Sequence, residues 1–248
     1  MKKIFLFFVP IVLMILSITS CEEPTEPEEI MPDSLPAVEV EWNENNSIVC
    51  FGTSLTYGDF GTGVLGEPGA RPNSDSTYPA LLDKELRIKV YNEGYWGATT
   101  QEALEFYPSV LEKSPSLIIL EFGANEFLKD IEVEKAKADI DSLIKMIITD
   151  NIQIVMLSFV NPDMLNSIPS SHPFASKSEL GLEYYQMLLD LAGKYDIPID
   201  DYLYRDIWGK PEFLSIDRIH PNSKGNAQLK DNVFETFYNT FVKNGMLN

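Results

Sequence analysis

Short apolar segments alternate with amphipathic helical stripes along this chain, and this alternation constrains its fold more than any other feature. Five segments are short, apolar and rich in β-branched residues, which is typical of buried strands. They are residues 47–51, 88–92, 117–122, 153–159 and 197–199. Strands that alternate with helices form parallel sheets with right-handed crossovers and with helices on both faces. The sequence therefore predicts an α/β fold, a three-layer αβα sandwich around a five-stranded parallel sheet.

The helices between these strands are predicted from apolar residues that recur at three- and four-residue spacing. The positions are Ile140, Leu143, Ile144, Ile147 and Ile148 in one helix, Leu180, Tyr184, Met187, Leu188 and Leu191 in a second, and Leu229, Val233, Phe237 and Phe241 in a third. Another helix is expected to begin after Thr99 or Thr100, either of which can cap it, with Glu102 in the first turn.

The N-terminus has the pattern of an export signal. Lys2 and Lys3 precede an apolar run over residues 4–18 and then small residues, as in secretory signal peptides. The segment from Leu16 to Cys21 resembles the lipobox of bacterial lipoproteins, which implies cleavage before Cys21 and a lipid on its thiol. We therefore expect a signal peptide over residues 1–20 and an exported, membrane-anchored protein, on the periplasmic or cell-surface side. The alternative is an uncleaved anchor, for which the apolar run is short.

Residues 21–46 are expected to form an extended tether. They are rich in proline and glutamate and contain little that could be buried, and such segments stay extended rather than folding. The remaining residues, 47–248, have the size of one domain with a full core. We predict that this part folds as a single domain.

The charge and cysteine content exclude several classes of function. The chain has 38 acidic and 19 basic residues and a formal net charge of −19, a field that disfavours nucleic acid as a partner. Cys21 and Cys50 are the only cysteines, so no disulfide is expected in the domain. Cys50 is predicted to be a small buried apolar residue.

Ser54 follows the first predicted strand, after the small residue Gly52. A serine at that point has its hydroxyl at the carboxyl edge of a parallel sheet, where open α/β folds build their sites. A turn or cap residue is the simpler interpretation of an isolated Gly-Thr-Ser. A nucleophilic role requires a base elsewhere in the chain.

The chain contains two histidines, His172 and His220. His172 lies in a loop without a nearby carboxylate, whereas His220 follows Asp217 by three residues. A carboxylate at that distance can hold the imidazole Nδ1–H and leave Nε2 for the serine. An Asp-x-x-His alone is a weak signal, because an ordinary surface turn has the same spacing.

Two long connections are candidate walls of a substrate site. They cover residues 59–77, which are rich in glycine and proline, and residues 161–177, which contain three prolines, and both are expected to leave the sheet at the same edge as Ser54. Loops of this length in compact domains are often functional, although either could be plain surface.

The sequence does not support a dinucleotide-binding site, an α/β-hydrolase nucleophile motif or a metal site. Residues 61–66 match a dinucleotide fingerprint by letter, but they neither directly follow a strand nor open a helix. The sequence lacks Gly-x-Ser-x-Gly, which argues against an α/β-hydrolase. It also lacks His-Glu-x-x-His and any cysteine–histidine cluster, so we expect no metal and no cofactor.

Four short segments together resemble the motif blocks of the SGNH or GDSL hydrolase family, in the family's order. They are residues 51–58 (Phe-Gly-Thr-Ser-Leu-Thr-Tyr-Gly), 92–99 (Asn-Glu-Gly-Tyr-Trp-Gly-Ala-Thr), 123–126 (Gly-Ala-Asn-Glu) and 217–221 (Asp-Arg-Ile-His-Pro). The similarity covers nearly all of the predicted domain and is greatest to the arylesterase, lysophospholipase and thioesterase-like subgroup. It implies the flavodoxin-like fold of SGNH hydrolases for residues 47–248.

The resemblance also implies a role for each matching residue. Ser54 corresponds to the nucleophile, His220 to the general base and acid, and Asp217 to the carboxylate that orients the histidine. The oxyanion hole corresponds to the backbone N–H groups of Ser54 and Gly97 and the side-chain amide of Asn125. Without that context, Gly97 would be interpreted as a turn residue and Asn125 as a cap.

Three positions depart from the family pattern. Thr53 stands where the family usually has an aspartate, Ala98 where a polar residue is frequent, and Glu126 where an aspartate often follows the asparagine. None of the three removes a reacting group. They put the hydrogen bonds that hold the loops, and hence the rate, in question.

The sequence as a whole predicts a lipid-anchored serine esterase that hydrolyses small carboxylic esters through an acyl-enzyme, faster on short acyl or aryl esters than on long chains. Tyr57, Phe60, Trp96 and Phe127 are predicted to bind substrate, with Tyr95 nearby, as an acyl slot or a sugar platform. A carbohydrate O-acetylesterase is therefore the nearest alternative, and an acyltransferase is a more distant one. A non-catalytic lipoprotein that binds glycan or lipid is the alternative from another class.

Overall fold

The computed structural model of the chain describes residues 46–58, 75–168, 170, 174–243 and 245–246. The predicted signal peptide, Cys21 and the predicted tether apart from Asn46 lie outside the described residues. So do Phe60, His172 and most of the long connection over residues 59–77. Within the described part of the chain, no helix combines the length and the apolar character needed to cross a membrane.

Five parallel strands form one sheet in the order β2-β1-β3-β4-β5. They are β1 (Ser47–Gly52), β2 (Lys89–Gly94), β3 (Pro115–Glu121), β4 (Gln153–Leu157) and β5 (Ile199–Asp200). Every residue of β1 and β3 is buried, because a central parallel strand is covered on both faces. The five-stranded parallel sheet predicted from the sequence is confirmed.

Eight helices follow or connect the strands in the described part of the chain. They are α1 (Ser54–Tyr57), α2 (Tyr78–Glu85), α3 (Thr100–Leu111), α4 (Ala124–Leu128), α5 (Val133–Thr149), α6 (Pro162–Asn166), α7 (Ser178–Tyr195) and α8 (Ser223–Lys243). Single 3₁₀ turns occur at Ala175–Lys177 and Pro211–Phe213. Of these, α1, α2, α4 and α6 were not predicted, since they are short and are fixed by caps and packing rather than by a long apolar stripe.

The predicted helical stripes are buried with two exceptions. Ile148 is 44% exposed, because a residue directly after the buried Ile147 points about 100° away around the helix. Leu180, in the first turn of α7, is only partly buried. Thr99, rather than Thr100, caps α3, and with Glu102 it forms a reciprocal capping box.

The order of the strands positions the site. The chain passes from β1 to β2 in one direction and then returns across β1 to β3. Right-handed crossovers consequently place α2 and α3 on opposite faces of the sheet. Substrates of open α/β sheets bind where the strand order reverses, at the carboxyl ends of the strands. That point lies between β1 and β3, directly after Gly52 and Glu121.

Candidate active site

Ser54 is the first residue of α1, a single helical turn that begins one residue after β1. The turn is closed by hydrogen bonds from the backbone N–H of Tyr57 to the carbonyl of Thr53, 2.8 Å, and from Gly58 to Ser54, 3.0 Å. A side chain at Gly52 would meet Thr56 Oγ1 at 2.2 Å, so only glycine allows the helix to start this close to the strand. The hydroxyl of Ser54 is thereby placed at the carboxyl end of the sheet.

His220 joins Ser54 to Asp217. The distance from His220 Nε2 to Ser54 Oγ is 2.9 Å, and the distance from His220 Nδ1 to Asp217 Oδ2 is 2.6 Å. Both are hydrogen-bond distances, and the connected order of hydroxyl, imidazole and carboxylate is that of a catalytic triad. Ser54 and His220 are 166 residues apart in sequence, so the fold alone brings them together.

The loop that carries the histidine is a compact turn. The carbonyl of His220 accepts a hydrogen bond from the backbone N–H of Ser215 at 2.7 Å, and Arg218 adopts a left-handed conformation with φ of 60°. Asp217 Oδ1 also accepts hydrogen bonds from the backbone N–H groups of Ile219 and His220, at 2.9 and 3.0 Å. The aspartate thus orients both the imidazole and the backbone beside it.

Hydrogen bonding keeps Asp217 ionised. Partial burial raises the pKa of its carboxyl, but the hydrogen bonds from the His220 ring and from the N–H groups of Ile219 and His220 outweigh burial and lower the pKa to about 2. The carboxylate is therefore an acceptor at neutral pH. An acceptor on Nδ1 leaves Nε2 unprotonated in neutral histidine and able to take a proton from Ser54.

The two further residues predicted for the oxyanion hole lie in neighbouring loops. Asn125 is 7% exposed, shares a cavity with Ser54, and donates one side-chain N–H to the carbonyl of Ala98 at 2.8 Å. An amide carries two such N–H groups, so the second can serve a substrate oxygen. Gly97 precedes Ala98 and has a φ of +72°, which glycine adopts without strain. The role of both donors stays a prediction.

The three departures from the family pattern preserve the contacts between the loops. The Thr53 hydroxyl and backbone N–H both donate to Glu121, at 2.9 Å to its Oε2. The buried Ala98 accepts the Asn125 amide through its backbone, which needs no polar side chain. Glu126 accepts the backbone N–H of Thr100 at the start of α3. The loops are therefore joined without the residues that the family usually has.

An open cavity adjoins the serine and the histidine. Most of its lining is apolar: it consists of Leu55, Ala124, Phe127, Leu128, Phe159, Val160, Met164, Leu165, Ile168, Phe174, Tyr204, Trp208 and Ile219, together with Ser54, Asn125 and His220. Of the four predicted substrate-binding residues, Phe127 belongs to this lining. Tyr57 is buried and Trp96 half-buried, and neither belongs to it.

One of the two long connections forms a wall of the cavity. Met164, Leu165, Ile168 and Phe174 all come from residues 161–177, in agreement with the prediction for this loop. Lys177 connects this wall to α4. Its Nζ donates hydrogen bonds to the carbonyls of Phe127 and Leu128 and forms an ion pair with Asp130 at 2.8 Å.

Sequence reasoning missed three contributors to this site. Tyr204 and Trp208 line the cavity from the segment after β5, which carries no strand or helix stripe that would draw attention to it. Glu121 accepts a hydrogen bond from Thr53, directly before Ser54, and the signal that could have found it is a single charge in an otherwise apolar central strand. The described residues hold no group of three or more His, Cys, Asp or Glu arranged to bind a metal ion.

Comparison with known proteins gives the family. Residues 50–228 match the GDSL-like Lipase/Acylhydrolase family. The chain is 21% identical over 174 residues to the Thioesterase 1/protease 1/lysophospholipase L1 of Escherichia coli (strain K12), covering 68% of this chain and 78% of the relative. It is 23% identical over 157 residues to the Arylesterase of Vibrio mimicus, covering 61% and 71%.

Two solved structures with the same fold match this chain over almost the whole of their own length. The crystal structure of TesA superposes with a TM-score of 0.59 at 18% identity, over 77% of this chain and 97% of that one. The esterase EstA from Pseudoalteromonas sp. gives a TM-score of 0.62 at 19% identity, over 79% and 98%. The fold and the match define the class, an α/β ester hydrolase. The chain belongs to the GDSL-like lipase/acylhydrolase family, whose members are the SGNH hydrolases.

Proposed function

We propose that Ser54, His220 and Asp217 are the catalytic triad and that the chain hydrolyses esters through an acyl-enzyme. The observation that carries this proposal is the unbroken chain of hydrogen bonds from Ser54 Oγ through the imidazole to Asp217. Nε2 of His220 removes the proton as Oγ attacks the ester carbonyl. The imidazolium returns that proton to the leaving alcohol, and water repeats the two steps on the acyl-enzyme.

The negative charge that develops on the carbonyl oxygen needs donors placed in advance. The backbone N–H groups of Ser54 and Gly97 and the free N–H of Asn125 are the proposed donors. Each such donor typically contributes about 10²–10³ in turnover. The Asn125 amide is held by its other N–H on Ala98, so the donor is positioned before substrate binds.

The cavity supports an apolar acyl or aryl group on the substrate. Apart from the catalytic residues, its walls are mainly aliphatic and aromatic side chains, which suit hydrocarbon and offer few partners for the hydroxyl groups of a sugar. We therefore favour a carboxylic esterase over a carbohydrate O-acetylesterase. Short acyl and aryl esters are the proposed preferred substrates.

A fluorophosphonate probe tests the nucleophile. The unmodified protein should be labelled and should hydrolyse p-nitrophenyl acetate, whereas Ser54→Ala should do neither. Ser142→Ala, which changes an exposed serine on α5, is the matched control and should behave like the unmodified protein. A folded protein that is neither labelled nor active would favour a non-catalytic binding module instead.

A series of p-nitrophenyl esters tests the acyl preference. Turnover at fixed pH should be faster for acetyl to butyryl esters than for long acyl chains. A rate that climbs steadily with chain length would overturn this part of the proposal. Release of acetate from acetylated sugars, at a rate above that of the chromogenic esters, would favour the O-acetylesterase.

We also propose that the protein is exported and anchored through a lipid on Cys21, on the sequence grounds given above. Metabolic labelling with an alkynyl fatty acid should mark the full chain. The label should be lost in Cys21→Ala and retained in Cys50→Ala, because Cys50 is fully buried in β1. Retention of the label in Cys21→Ala, or no label on the unmodified chain, would contradict the anchor.

A further inference from the structure

A fully buried carboxylate lies beneath the nucleophile and takes no part in the triad. Glu121 ends β3, pairs in register with Gly52 at the end of β1, and is 0% exposed. A charge buried in this way is normally paired or serves a function. The donors to this carboxylate are Thr53 and Thr56, on either side of Ser54, so its role is sought in these residues.

Those residues are the ones that hold Ser54 in place. Thr53, directly before the serine, donates its backbone N–H to Glu121 Oε2 at 2.9 Å and its hydroxyl to the same carboxylate at 2.9–3.0 Å. Thr56 Oγ1 lies 3.2 Å from Oε2. The side chain of Thr53 does not cap α1. The carboxylate of another strand therefore takes the N-terminal donors of this one-turn helix.

The surroundings make the charge of this carboxylate sensitive to pH. Among the described residues, its hydrogen-bond donors are the neutral groups of Thr53 and Thr56. Burial raises the pKa of Glu121 to about 7, against the opposing effect of these donors. Tyr78 of α2, bonded to Thr56, and Tyr204 also face this group, and burial raises the pKa of both phenols well above the usual value, so both stay neutral.

We propose that Glu121 is a positioning residue for Ser54: its ionised carboxylate holds the turn that carries the nucleophile, through the hydroxyl and N–H of Thr53. This inference rests on the proposed function of Ser54. It also gives a reason for the departure at position 53. A threonine can donate to Glu121, whereas an aspartate there would place a second carboxylate against the first and disfavour its ionised form.

Protonation of Glu121 reverses part of this arrangement. A protonated carboxyl donates one hydrogen itself, so a threonine hydroxyl that donated to the carboxylate has to accept instead, and the charge-assisted hydrogen bonds that held the turn are weakened. The active form thus needs both a neutral His220 and an ionised Glu121. A second deprotonation that raises activity makes the acid limb of a plot of log kcat/KM against pH steeper than a slope of 1 near the pKa of Glu121, whereas the triad alone gives a slope of 1.

The pH profile of Glu121→Gln tests the proposal. The amide keeps the shape but cannot ionise, so the acid limb should fall to a slope of 1. We expect kcat at pH 8 to drop by about tenfold with KM little changed, because a displaced nucleophile affects the chemical step. Glu93→Gln is the matched control: Glu93 is a buried glutamate near the end of β2, held by Tyr95 and Lys113, and its variant should keep the unmodified profile.

Two variants at position 53 provide a second test if Glu121→Gln does not fold. Thr53→Val removes one donor to the ionised carboxylate and should move the upper part of the acid limb to higher pH by about one unit. Thr53→Ser keeps the hydroxyl and should restore the profile. An acid limb of slope 1 in the unmodified enzyme, or an unmoved profile in Thr53→Val, would overturn the positioning role. Absence of both labelling and turnover in the unmodified protein would instead contradict the proposed function.

Discussion

The two carboxylates on either side of Ser54 are held in opposite ways. Asp217 lies in a partly exposed loop, where three hydrogen bonds lower the pKa of its carboxyl to about 2. Glu121 is enclosed by the sheet and α1, where burial raises the pKa of its carboxyl to about 7 despite its hydrogen bonds. Solvent access, rather than the number of hydrogen bonds, accounts for the difference, because desolvation disfavours the charged form.

This difference separates two tasks that one nucleophile requires. In the proposed mechanism, protons are transferred on the exposed side of Ser54, so the carboxylate on that side has to stay charged while the imidazole changes state. The buried side must fix the backbone, so its carboxylate is surrounded by donors from the turn itself. The following predictions test whether the two sides act independently, beginning with the largest expected effect.

Loss of the reacting groups should have the largest effect. Ser54→Ala and His220→Ala should each lower kcat/KM for p-nitrophenyl acetate by about 10⁴–10⁶-fold, and the double variant should be little worse, since the two groups act as a unit. Measured losses that multiply in the double variant would contradict the coupling seen in the 2.9 Å contact.

Removal of the exposed carboxylate should cost less than removal of the histidine. Asp217→Ala should retain about 10–100 times more activity than His220→Ala, because the imidazole is still present as a base even when no carboxylate orients it. Steady-state kinetics of the two variants side by side would measure this ratio. Equal losses would mean that Asp217 does more than orient the ring.

Truncation of the proposed oxyanion donor should have an intermediate effect. Asn125→Ala should lower kcat by about 10²–10³-fold with little change in KM, as expected for a donor that acts on the transition state. The control is Asn166→Ala, which alters an exposed asparagine at the end of α6. A loss confined to KM would assign Asn125 to substrate binding instead.

The smallest effect concerns stability and distinguishes the two carboxylates directly. The pKa of Glu121 is raised in the folded state, so the free energy of unfolding decreases as the pH rises from the ordinary glutamate range through about 7. Glu121→Gln removes this loss, so its melting temperature relative to the unmodified protein should be a few degrees higher at pH 8 than at pH 5. Thermal unfolding of both proteins at the two pH values would measure it.

Asp217 gives the opposite sign. The pKa of Asp217 is lowered in the folded state, so its carboxylate stabilises the fold above the ordinary aspartate range. This stabilisation is lost only as the pH falls towards about 2. Asp217→Asn should therefore show no such change between pH 5 and pH 8. If the melting difference of Glu121→Gln were as flat as this control, Glu121 would not be titrating in the folded protein.

The parts of the fold that follow from periodicity could be predicted from the sequence. The strand segments and the long helices α5, α7 and α8 agree with their apolar patterns, because burial of a whole face requires that spacing, and the start of α3 agrees with its predicted cap. The short helices α1, α2, α4 and α6 could not be predicted in this way. Each is fixed by a cap, a proline or a contact from elsewhere, as in α1, whose N-terminal donors bind Glu121 on another strand.

The candidate site divides in the same manner. Ser54, Asp217 and His220 were identified because nucleophile, base and carboxylate are recognisable residue types in recognisable motifs. The lining of the cavity could be predicted only in part: Phe127 belongs to it, whereas Tyr204 and Trp208 were missed and Tyr57 and Trp96 are not part of it. The sequence predicts that an aromatic side chain will be packed against others, but it does not predict which face of the sheet or which cavity the side chain will contact.

The sequence by itself determined the residue types that carry the chemistry of this protein and the positions of the strands along the chain, since both depend on residue type and local spacing. The tertiary structure decided which groups meet. It set a histidine 2.9 Å from a serine 166 residues away and gave two carboxylates opposite ionisation behaviour beside that serine. The physical reason is that a pKa and a cavity depend on solvent exclusion, which arises only when distant segments pack together.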